Sequence, residues 1–437
     1  MPQGSRNSAV AAVANPDTRV GVCIFCSCAI LQCNVKIVRI RSPQLSFTII
    51  AEDKTTAART GLLRTAHGVV HTPAFLPVGT QGTVKCLSPH ELRELGAEMI
   101  LANTYHLMTR PGLDLIQQAG GLHRFMSWDG AILTDSGGYQ VFSLAKLRRI
   151  TDAGIEFQSH VDGAPLFLGP REAIQAQAAL GSDIAMVLDE CAPWPCDREY
   201  ACRSVELSLQ WAAACRRLAA DWRLSALGKA EGTNSTEVPR QLLFGIVQGS
   251  VYPELRQRCA QELVAMDFDG YAVGGVSVGE PEREMFAQVD MSLLYLPSEK
   301  PRYVMGVGTP PQILAMIAKG VDLFDCVLPT REARHGKVFT RGGTYSIRAA
   351  ACRQDFGPLE DGCACYACRH FTKAYVRHLF WAGEILGLRL LTCHNLHTYL
   401  SMMREARAAI AAGAFDQFQR EWAARYNEET RQHNENN

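Results

Sequence analysis

The chain has 437 residues, of which 47% are hydrophobic, and its 44 basic and 44 acidic side chains leave a formal net charge of zero. This length and composition fit one large barrel with additions and a sizeable buried core. The zero net charge excludes a general attraction to polyanions, so any nucleic-acid site must be a local patch. No apolar run is long enough to span a bilayer, and we expect no membrane-spanning segment.

Residues 1–45 lie outside the pattern of the rest of the chain. Residues 20–33 are mostly apolar and follow Arg6 and Arg19, so they faintly resemble the apolar core of a signal peptide, although no small-residue cleavage site clearly follows. Four cysteines in this stretch could bind a metal, but no histidine lies near them: Cys23, Cys26, Cys28 and Cys33. We favour a disordered extension, or a start codon placed too far upstream.

Most of the sixteen cysteines are scattered singly within apolar segments. This distribution is typical of buried thiols in a reducing compartment and not of a disulfide framework. We therefore expect a cytoplasmic protein.

From about Ser46 onward, helix and strand signals alternate, which predicts one domain over residues 46–437. Ser88, Pro89 and Glu91 form a helix start with a capping box, and Gly96 ends that helix. Other predicted elements are a strand at 99–102, helices at 170–181 and 198–227, a polar loop at 228–237 and a helical tail from about Tyr399. Such alternation predicts a parallel sheet covered by helices.

Six short apolar runs each end abruptly in a polar or glycine-rich cluster, as buried parallel strands do. The clusters begin at Asp135, Asp189, Gln248, Gly274, Gly306 and Asp325. The number of repeats favours a (β/α)8 TIM-like barrel over an open sheet, and the first strands lack the glycine fingerprint of dinucleotide-binding folds. In such a barrel all six clusters meet at one mouth, where active sites lie.

A metal site is predicted near the C-terminus by the spacing of three cysteines and one histidine, Cys363, Cys365, Cys368 and His394. Three thiolates and one imidazole complete a tetrahedral zinc shell with no open position, so we expect one structural zinc per chain in a subdomain at about residues 339–396. Chance clustering is the alternative. Cys393 is a rival fourth ligand, but that choice leaves His394 unexplained.

Five basic residues and one acidic residue, Glu332, lie between residues 331 and 348: Arg331, Arg334, Lys337, Arg341 and Arg348. A run of charge is commonly a solvated face. Its closeness to Asp325 and to the predicted metal site makes a surface that contacts phosphates an equally good interpretation.

Three of the strand-end residues are carboxylic acids, Asp135, Asp189 and Asp325. A single acid at such a position commonly caps the next helix. Three in one mouth repel one another and shift each other's pKa values, which points to a function. One carboxylate could attack a sugar carbon while another moves protons, as in retaining glycosyl transfer.

The same strand ends could form a slot for a flat heterocycle. Tyr139 offers a ring, and Gln248 offers both a donor and an acceptor. The glycine pairs at 137–138 and 274–275 have no side chains, so a planar ligand could approach the backbone there.

These motifs resemble those of the bacterial tRNA-guanine transglycosylases, the queuine tRNA-ribosyltransferases, over nearly all of residues 46–437. The resemblance rests on residues 133–142, 188–191, 244–249, 274–280, 303–308 and 324–331, and on the cysteine–histidine pattern. It implies a pentosyltransferase of queuosine biosynthesis. Such an enzyme would exchange guanine at the wobble position of GUN-anticodon tRNAs (Asp, Asn, His and Tyr) for 7-aminomethyl-7-deazaguanine.

The resemblance also implies roles for single residues. Asp325 would attack the anomeric carbon and hold the tRNA covalently, and Asp135 would be the general acid and base. Tyr139 and Met305 would sandwich the base, and Glu280 would support the backbone that reads it. The other implied substrate-binding residues are Ser136, Asp189, Gln248, Gly275 and Val276. The implied contacts to the anticodon loop are Arg331, Arg334 and His335, and family members act as homodimers with one tRNA.

Some residues refine this expectation. Cys191 and Val278 resemble the bacterial members, which take the aminomethyl precursor base, whereas eukaryotic members take queuine and usually have Val and Gly there. Val276 departs from the usual Leu, and His335 stands where Asn is usual. Both departures leave the incoming base and the anticodon contacts open.

Two other classes of function are compatible with parts of the pattern. One is a non-catalytic tRNA-binding subunit, like the partner chain of eukaryotic enzymes, but that paralogue lacks some catalytic residues and here Asp135 and Asp325 are both present. The other is a glycoside hydrolase, for which the metal pattern and the basic run are unnecessary.

Overall fold

Eight parallel strands form the central sheet of the computed structural model, which describes residues 46–144, 148–229 and 241–435. The strands are β1 (Phe47–Glu52), β2 (Arg59–Thr65), β3 (Gly68–Thr72), β4 (Ala74–Pro77), β5 (Met99–Ala102), β6 (Ala131–Thr134), β7 (Arg148–Thr151), β8 (Gly154–Gln158), β9 (Pro165–Leu168), β10 (Ile184–Met186), β11 (Leu242–Val247), β12 (Gly270–Val273), β13 (Arg302–Val304), β14 (Leu323–Cys326), β15 (Lys337–Thr340) and β16 (Gly343–Ser346).

One or more helices follow each of the eight barrel strands. They are α1 (Pro89–Glu94), α2 (Thr104–Thr109), α3 (Leu113–Gln118), α4 (Leu122–Met126), α5 (Gly138–Leu144), α6 (Pro170–Leu180), α7 (Arg198–Lys229), α8 (Pro253–Ala265), α9 (Glu282–Leu293), α10 (Pro310–Ile317), α11 (Leu328–His335), α12 (Tyr366–His370), α13 (Lys373–Ala382), α14 (Ile385–Ala411) and α15 (Phe415–Glu435). None of the helices in the described ranges is both long and apolar enough to cross a membrane.

The central sheet is the predicted (β/α)8 barrel, which the structure confirms. Its strand order is β4-β14-β13-β12-β11-β10-β6-β5, and a parallel bridge between Val78 and Leu101 joins the two end strands. The strands β4, β5, β6, β11 and β12 are buried at every position, because helices cover one face and the barrel interior covers the other. This explains their unbroken apolar sequences.

The structure confirms a predicted helix start, at α1, and a predicted helix end, at α6. Ser88 Oγ accepts a hydrogen bond from the Glu91 N–H at 3.3 Å, and Glu91 accepts one from the Ser88 N–H at 2.9 Å, which completes the capping box of α1. Gly181 ends α6 in the left-handed conformation. Helix α7 continues to Lys229, and the rest of the predicted 228–237 loop lies outside the described residues.

A three-stranded antiparallel sheet, β1-β2-β3, lies at the N-terminal ends of the barrel strands, opposite the mouth. Arg59 of β2 forms a buried ion pair at 2.6 Å with Asp322, which precedes β14. His67, in the turn after β2, lies 2.9 Å from Asp183, which precedes β10. Both acids also accept backbone N–H groups, from Arg302 and from Ile132. These contacts fasten this sheet to the barrel.

After β14 the chain forms a small module with its own apolar core, which includes Val338, Ile347, Leu359, Val376 and Leu391. Strands β15 and β16 pair as a hairpin, α14 packs against β15, and α12 and α13 pack against α14. The long helix α14 contributes residues to the core of this module and also to the core of the barrel.

Asn395 of α14 ties this module to the helix that follows β14. Its side chain is fully buried, donates to the carbonyls of Pro329 and Lys337 at 3.1 and 3.0 Å, and accepts from the Phe339 N–H at 2.9 Å. One side chain thereby fixes α14, α11 and β15 relative to one another.

Candidate active site

A cavity of about 620 Å³ opens at the C-terminal ends of the barrel strands. At the C-terminal end of each of the eight strands, in the strand or just after it, at least one residue lies in the cavity wall: Val78, Asn103, Asp135, Asp189, Gln248, Gly274, Met305 and Asp325. Side chains at the ends of parallel barrel strands converge for geometric reasons, so residues far apart in sequence meet here.

Asp135 follows β6 and is buried. The Asn103 side-chain amide donates to its Oδ2, and the Thr104 backbone N–H donates to Oδ1 at 2.9 Å. Burial raises the pKa of Asp135 to about 6, although these hydrogen bonds act to lower it. A carboxyl group with this pKa can both hold and release a proton near neutral pH.

Asp189, three residues beyond the last ladder pair of β10, is also buried. Its Oδ2 accepts from Gln248 Nε2 at 2.7 Å, and its Oδ1 has a long contact of 3.5 Å with Ser136 Oγ. Burial raises its pKa to about 6, and the nearby carboxylates of Glu190 and Asp135 add to the rise. Asp189 and Gln248 together present a fixed set of polar atoms on one side of the cavity.

Asp325, near the end of β14, is half-buried. Its Oδ1 accepts from the Tyr303 hydroxyl at 2.5 Å and from the Gly306 N–H at 3.0 Å. Burial raises its pKa, against these two hydrogen bonds. Both bonds go to one oxygen, so Oδ2 is left without a partner among the described residues.

The cavity wall offers an exposed aromatic ring and an unpartnered hydrogen-bond acceptor, which a flat polar ligand could use. Tyr139 and Met305 both lie in its wall, and the Tyr139 side chain is 46% exposed. Gln248 Oε1 is buried and has no hydrogen-bond partner in the described structure. A Cβ at Gly275 would lie 2.5 Å from this oxygen, and the φ of +64° also favours glycine there. Gln248 Oε1 can therefore accept a hydrogen bond from a ligand in the cavity.

Glu280 does not line the cavity but supports the turn that does. Its two carboxylate oxygens accept the N–H groups of Ser277 and Val278 at 2.6 and 2.9 Å. Ser277 has a φ of +59°, which is unusual for a residue other than glycine. The two hydrogen bonds hold the turn in this conformation.

The three residues expected to contact an anticodon loop all lie on α11, which follows Asp325. Arg331 is exposed and lines the cavity. Arg334 is half-buried and donates to the Thr330 carbonyl at 2.7 Å, and His335 is exposed; neither lines the cavity. The helix thus carries cationic side chains from the rim of the mouth outward.

The four predicted metal ligands meet in the small module. Their ligand atoms lie within 4.8 Å of one another, and the three thiol sulfurs lie 3.4 to 3.7 Å from His394 Nδ1. Tetrahedral zinc places sulfur and nitrogen ligands about 3.5 Å apart, so the site fits such an ion. His394 Nε2 donates to the Phe339 carbonyl at 2.9 Å, which leaves Nδ1 for the metal. Cys393 is outside the group, which decides between the two rival ligands.

A second group of metal-ligand type, at the opposite end of the barrel, was missed by sequence reasoning: His67, His123 and Asp183. The two imidazole rings stack with centres 3.5 Å apart, and each bonds to Asp183, at 2.9 and 3.2 Å. Imidazoles that bind one tetrahedral ion have centres about 5 Å apart. The stacked arrangement is therefore a hydrogen-bonded cluster that helps fasten the β1-β2-β3 sheet.

The comparisons with known proteins agree with this geometry. The family described as queuine tRNA-ribosyltransferase matches residues 53–428. The chain is 52% identical over 382 residues to the queuine tRNA-ribosyltransferase of Pelotomaculum thermopropionicum, which covers 87% of this chain and 99% of that protein. The enzyme of Moorella thermoacetica, described in the same words, is 51% identical over 385 residues, covering 88% of this chain and 99% of that protein.

The chain belongs to the queuine tRNA-ribosyltransferase family. A third relative, the queuine tRNA-ribosyltransferase of Symbiobacterium thermophilum, is 52% identical over 378 residues, or 86% of this chain and 90% of that protein. The family match confirms the resemblance that the strand-end motifs indicated.

The structure adds site residues to this queuine tRNA-ribosyltransferase homologue that the sequence did not reveal. Asn103 and Tyr303 donate to Asp135 and Asp325, and His106 lines the cavity. Asn103 follows a predicted strand and could have been found as a seventh polar strand end. Tyr303 lies inside an apolar run, so no sequence signal separates it from core residues.

The buried carboxylates should lower the free energy of unfolding of the enzyme at neutral pH, where they are ionised. The pKa of Asp189 is raised from 3.8 to about 6 by folding, so the folded state binds the proton more tightly than the unfolded state. Stability that is present below about pH 4 is therefore lost as the pH rises through about 6. Asp189→Asn removes the buried charge and should stabilise the protein at pH 8 by about 1–3 kcal/mol, with a smaller gain at pH 5.

Urea unfolding at pH 5 and pH 8 measures this difference. Asp129→Asn is the control, because Asp129 is exposed and paired with Arg93 at 2.7 Å, and it should give no gain at pH 8. An equal effect of Asp189→Asn at both pH values would contradict the assignment of a buried, destabilised carboxylate.

Proposed function

We propose that this protein exchanges guanine at the wobble position of GUN-anticodon tRNAs (Asp, Asn, His and Tyr) for 7-aminomethyl-7-deazaguanine, through a covalent enzyme–tRNA intermediate. The observation that carries the proposal is the pairing of Asp325 and Asp135 in one cavity. One carboxylate has a free oxygen, and the other has a pKa near neutrality. The family membership supplies the substrate class.

In the first step, Oδ2 of Asp325 attacks C1′ of the ribose, and the bond from C1′ to the purine nitrogen breaks. The electron pair leaves with guanine, and protonated Asp135 delivers the proton that neutralises it. The Tyr303 hydroxyl and the Gly306 N–H hold the attacking carboxylate in place through Oδ1. In the second step, Asp135 takes the proton of the incoming base, whose nitrogen displaces Asp325.

The base is held between Tyr139 and Met305. Asp189 accepts N–H donors of its guanine-like edge, and Gln248 Oε1, which is unpartnered in the described structure, accepts another. The backbone at Gly275 and Val276 reads the carbonyl, and Ser136 steadies Asp189. Glu280 holds the turn behind this backbone.

The tRNA lies across the rim of the mouth, with its anticodon loop against α11. Arg331, Arg334 and His335 face it, and none of the three forms an ion pair with a described carboxylate. Arginines without an ion-pair partner, next to the proposed nucleophile, suit contacts to a phosphate backbone. His335 in place of the usual Asn changes this contact at one position.

The aminomethyl precursor is the proposed incoming base because Cys191 and Val278 both lie in the cavity wall. Cys191 is buried and Val278 is half-buried, which leaves limited space beside the base. The buried Val276 lies next to them in the same wall.

The bound metal is proposed to be zinc, one per chain, held by Cys363, Cys365, Cys368 and His394. When bound, the ion would link α12 to α14, and it would take no part in the reaction because four protein ligands leave it no open position. This site lies in the subdomain at about residues 339–396, within a catalytic domain of residues 46–437. Residues 1–45 form an extension outside it, and they lie outside the described residues.

A homodimer is the proposed assembly. The outer surface of α12 and α13 exposes several aromatic side chains, and Phe371 and Tyr375 stack there with ring centres 5.6 Å apart. Tyr366 is 52% exposed and Trp381 is 67% exposed. An exposed aromatic patch of this kind fits a second copy of the chain. The cytoplasm, where tRNA is modified and thiols stay reduced, is the proposed location.

The roles of the two acids give the decisive test. Asp325→Asn should keep tRNA binding but abolish exchange of radiolabelled guanine and any tRNA adduct on denaturing gels, because an amide cannot act as the nucleophile. Asp135→Asn should slow exchange by about 100-fold or more, because the proton carrier is lost. Asp290→Asn, an exposed acid paired with Lys319, is the control and should exchange normally. An adduct that persists in Asp325→Asn would contradict the assignment of the nucleophile.

The incoming base can be tested separately. We expect 7-aminomethyl-7-deazaguanine to be inserted at least about tenfold more efficiently than queuine, because the latter carries a bulky cyclopentenediol past Cys191 and Val278. The measurement is kcat/KM for both bases with the same tRNA. Equal values, or a preference for queuine, would assign this chain the eukaryotic type of specificity.

Elemental analysis tests the metal. Folded and unchelated protein should carry about one zinc per chain. Cys368→Ala should lose the metal, whereas Cys393→Ala should retain it, because Cys393 is not part of the ligand group. A wild-type protein without zinc would contradict the proposal.

A further inference from the structure

Arg256 of α8 is a buried cation without a buried anion beside it. Its side chain is fully buried, and none of the described ion pairs involves it. All its acceptors are neutral: Ser250 O at 2.6 Å, Gly274 O at 3.2 Å, Gly275 O at 3.4 Å, Gln288 Oε1 at 2.5 Å and Ser292 Oγ at 3.2 Å. Burying an unpaired charge is unfavourable, so the arrangement requires an explanation.

The charge is retained at neutral pH. Burial lowers the pKa of Arg256, but only to about 10. The guanidinium therefore remains a cation, and its hydrogen bonds to the two glycine carbonyls are charge-assisted.

The two carbonyls that Arg256 binds belong to the peptides that form the cavity wall. Gly274, Gly275 and Val276 all line the cavity, directly after β12. In a trans peptide the C=O and the following N–H point in opposite directions. Because the Gly274 and Gly275 carbonyls are turned back to Arg256, the N–H groups of Gly275 and Val276 are turned away from it.

The described contacts agree with this orientation. Neither N–H donates to a described backbone carbonyl, whereas the Gly274 N–H bonds to Val247 O at 3.0 Å within the barrel. Cys191 lines the cavity, and burial raises the pKa of its thiol. A hydrogen bond from the Gly275 N–H acts to lower that pKa, so this N–H points to the cavity side.

We infer that Arg256 is a positioning residue for base recognition: it orients the N–H groups of Gly275 and Val276 toward the cavity, where they select a base with a carbonyl at that edge. The inference rests on the proposed function and deepens it. It assigns the preference for a 6-oxopurine over a 6-aminopurine to a side chain that never touches the base. The adjacent Gln248 and Asp189 set the rest of the edge and are independent of Arg256.

The test is a comparison of two bases that differ at this edge. Guanine presents a carbonyl there, and 2,6-diaminopurine presents an amino group, which cannot accept from the two N–H groups. Their dissociation constants are measured by calorimetry on the full chain for wild type, Arg256→Gln and Arg256→Lys. Wild type should prefer guanine, and Arg256→Gln should lose about tenfold of that preference.

Arg256→Lys keeps the charge, which protects the fold, but a single ammonium cannot hold both carbonyls as the fork does. It should lose about threefold of the preference. Arg302→Gln is the matched control. Burial lowers the pKa of Arg302 to about 10, as it does for Arg256, but Arg302 is only half-buried. It starts β13 at the far end of the barrel and donates to Leu296 O at 2.8 Å. It should leave the preference unchanged.

An unchanged preference for guanine in folded Arg256→Gln and Arg256→Lys would overturn the inference. Equal weakening of both purines would do so as well, because it would show a merely structural role. A wild-type protein that neither binds nor exchanges guanine would instead overturn the proposed function, and the inference with it.

Discussion

Three carboxylates share the mouth of this barrel, and no described cation lies within ion-pair distance of any of them. Neutral donors hold each one: Asn103 and Thr104 for Asp135, Gln248 for Asp189, and Tyr303 with Gly306 for Asp325. A cationic partner would have lowered the pKa values and blocked the oxygens. The neutral donors instead fix the positions of the acids and leave their charge available for a substrate. The buried cation Arg256 binds the Gly274 and Gly275 carbonyls and does not line the cavity.

Much of the barrel could be predicted because a buried parallel strand has a simple signature, an apolar run cut off at a polar residue. Six strand ends and the β5 strand followed from this pattern. Strand β4 was missed because its four residues are bounded by Pro73 and Pro77 and carry no polar cluster at the end. The antiparallel sheets β1-β2-β3 and β7-β8-β9 were also missed. In β2 and β7 the exposed and buried positions do not alternate cleanly. These short strands form because they pair with neighbouring strands, and their own sequences carry only a weak strand signal.

At the candidate metal site, too, the sequence reveals the spacing of the ligands but not the contacts that depend on the folded structure. Three closely spaced cysteines and a later histidine are visible in the sequence, since ligand spacing follows from covalent geometry. The choice of His394 over Cys393 needed the helix, because neighbouring residues on α14 face different directions. The contacts of Asn395 to α11 and β15 left no signal at all, although they connect the small module to the helix that follows Asp325.

The pairing of β14 with β4 has a consequence for how the protein is made. Leu323 lies beside Ala74, so the sheet closes only when strands from opposite ends of the barrel sequence meet. Contacts of such long sequence separation form late and slowly. Because β14 is the last barrel strand in the chain, Asp325 emerges from the ribosome after the other seven strands. The mouth of the barrel is therefore assembled last. Until β14 pairs with β4, Asp325 is not held in the mouth with Asp135 and Asp189, so the cavity is incomplete.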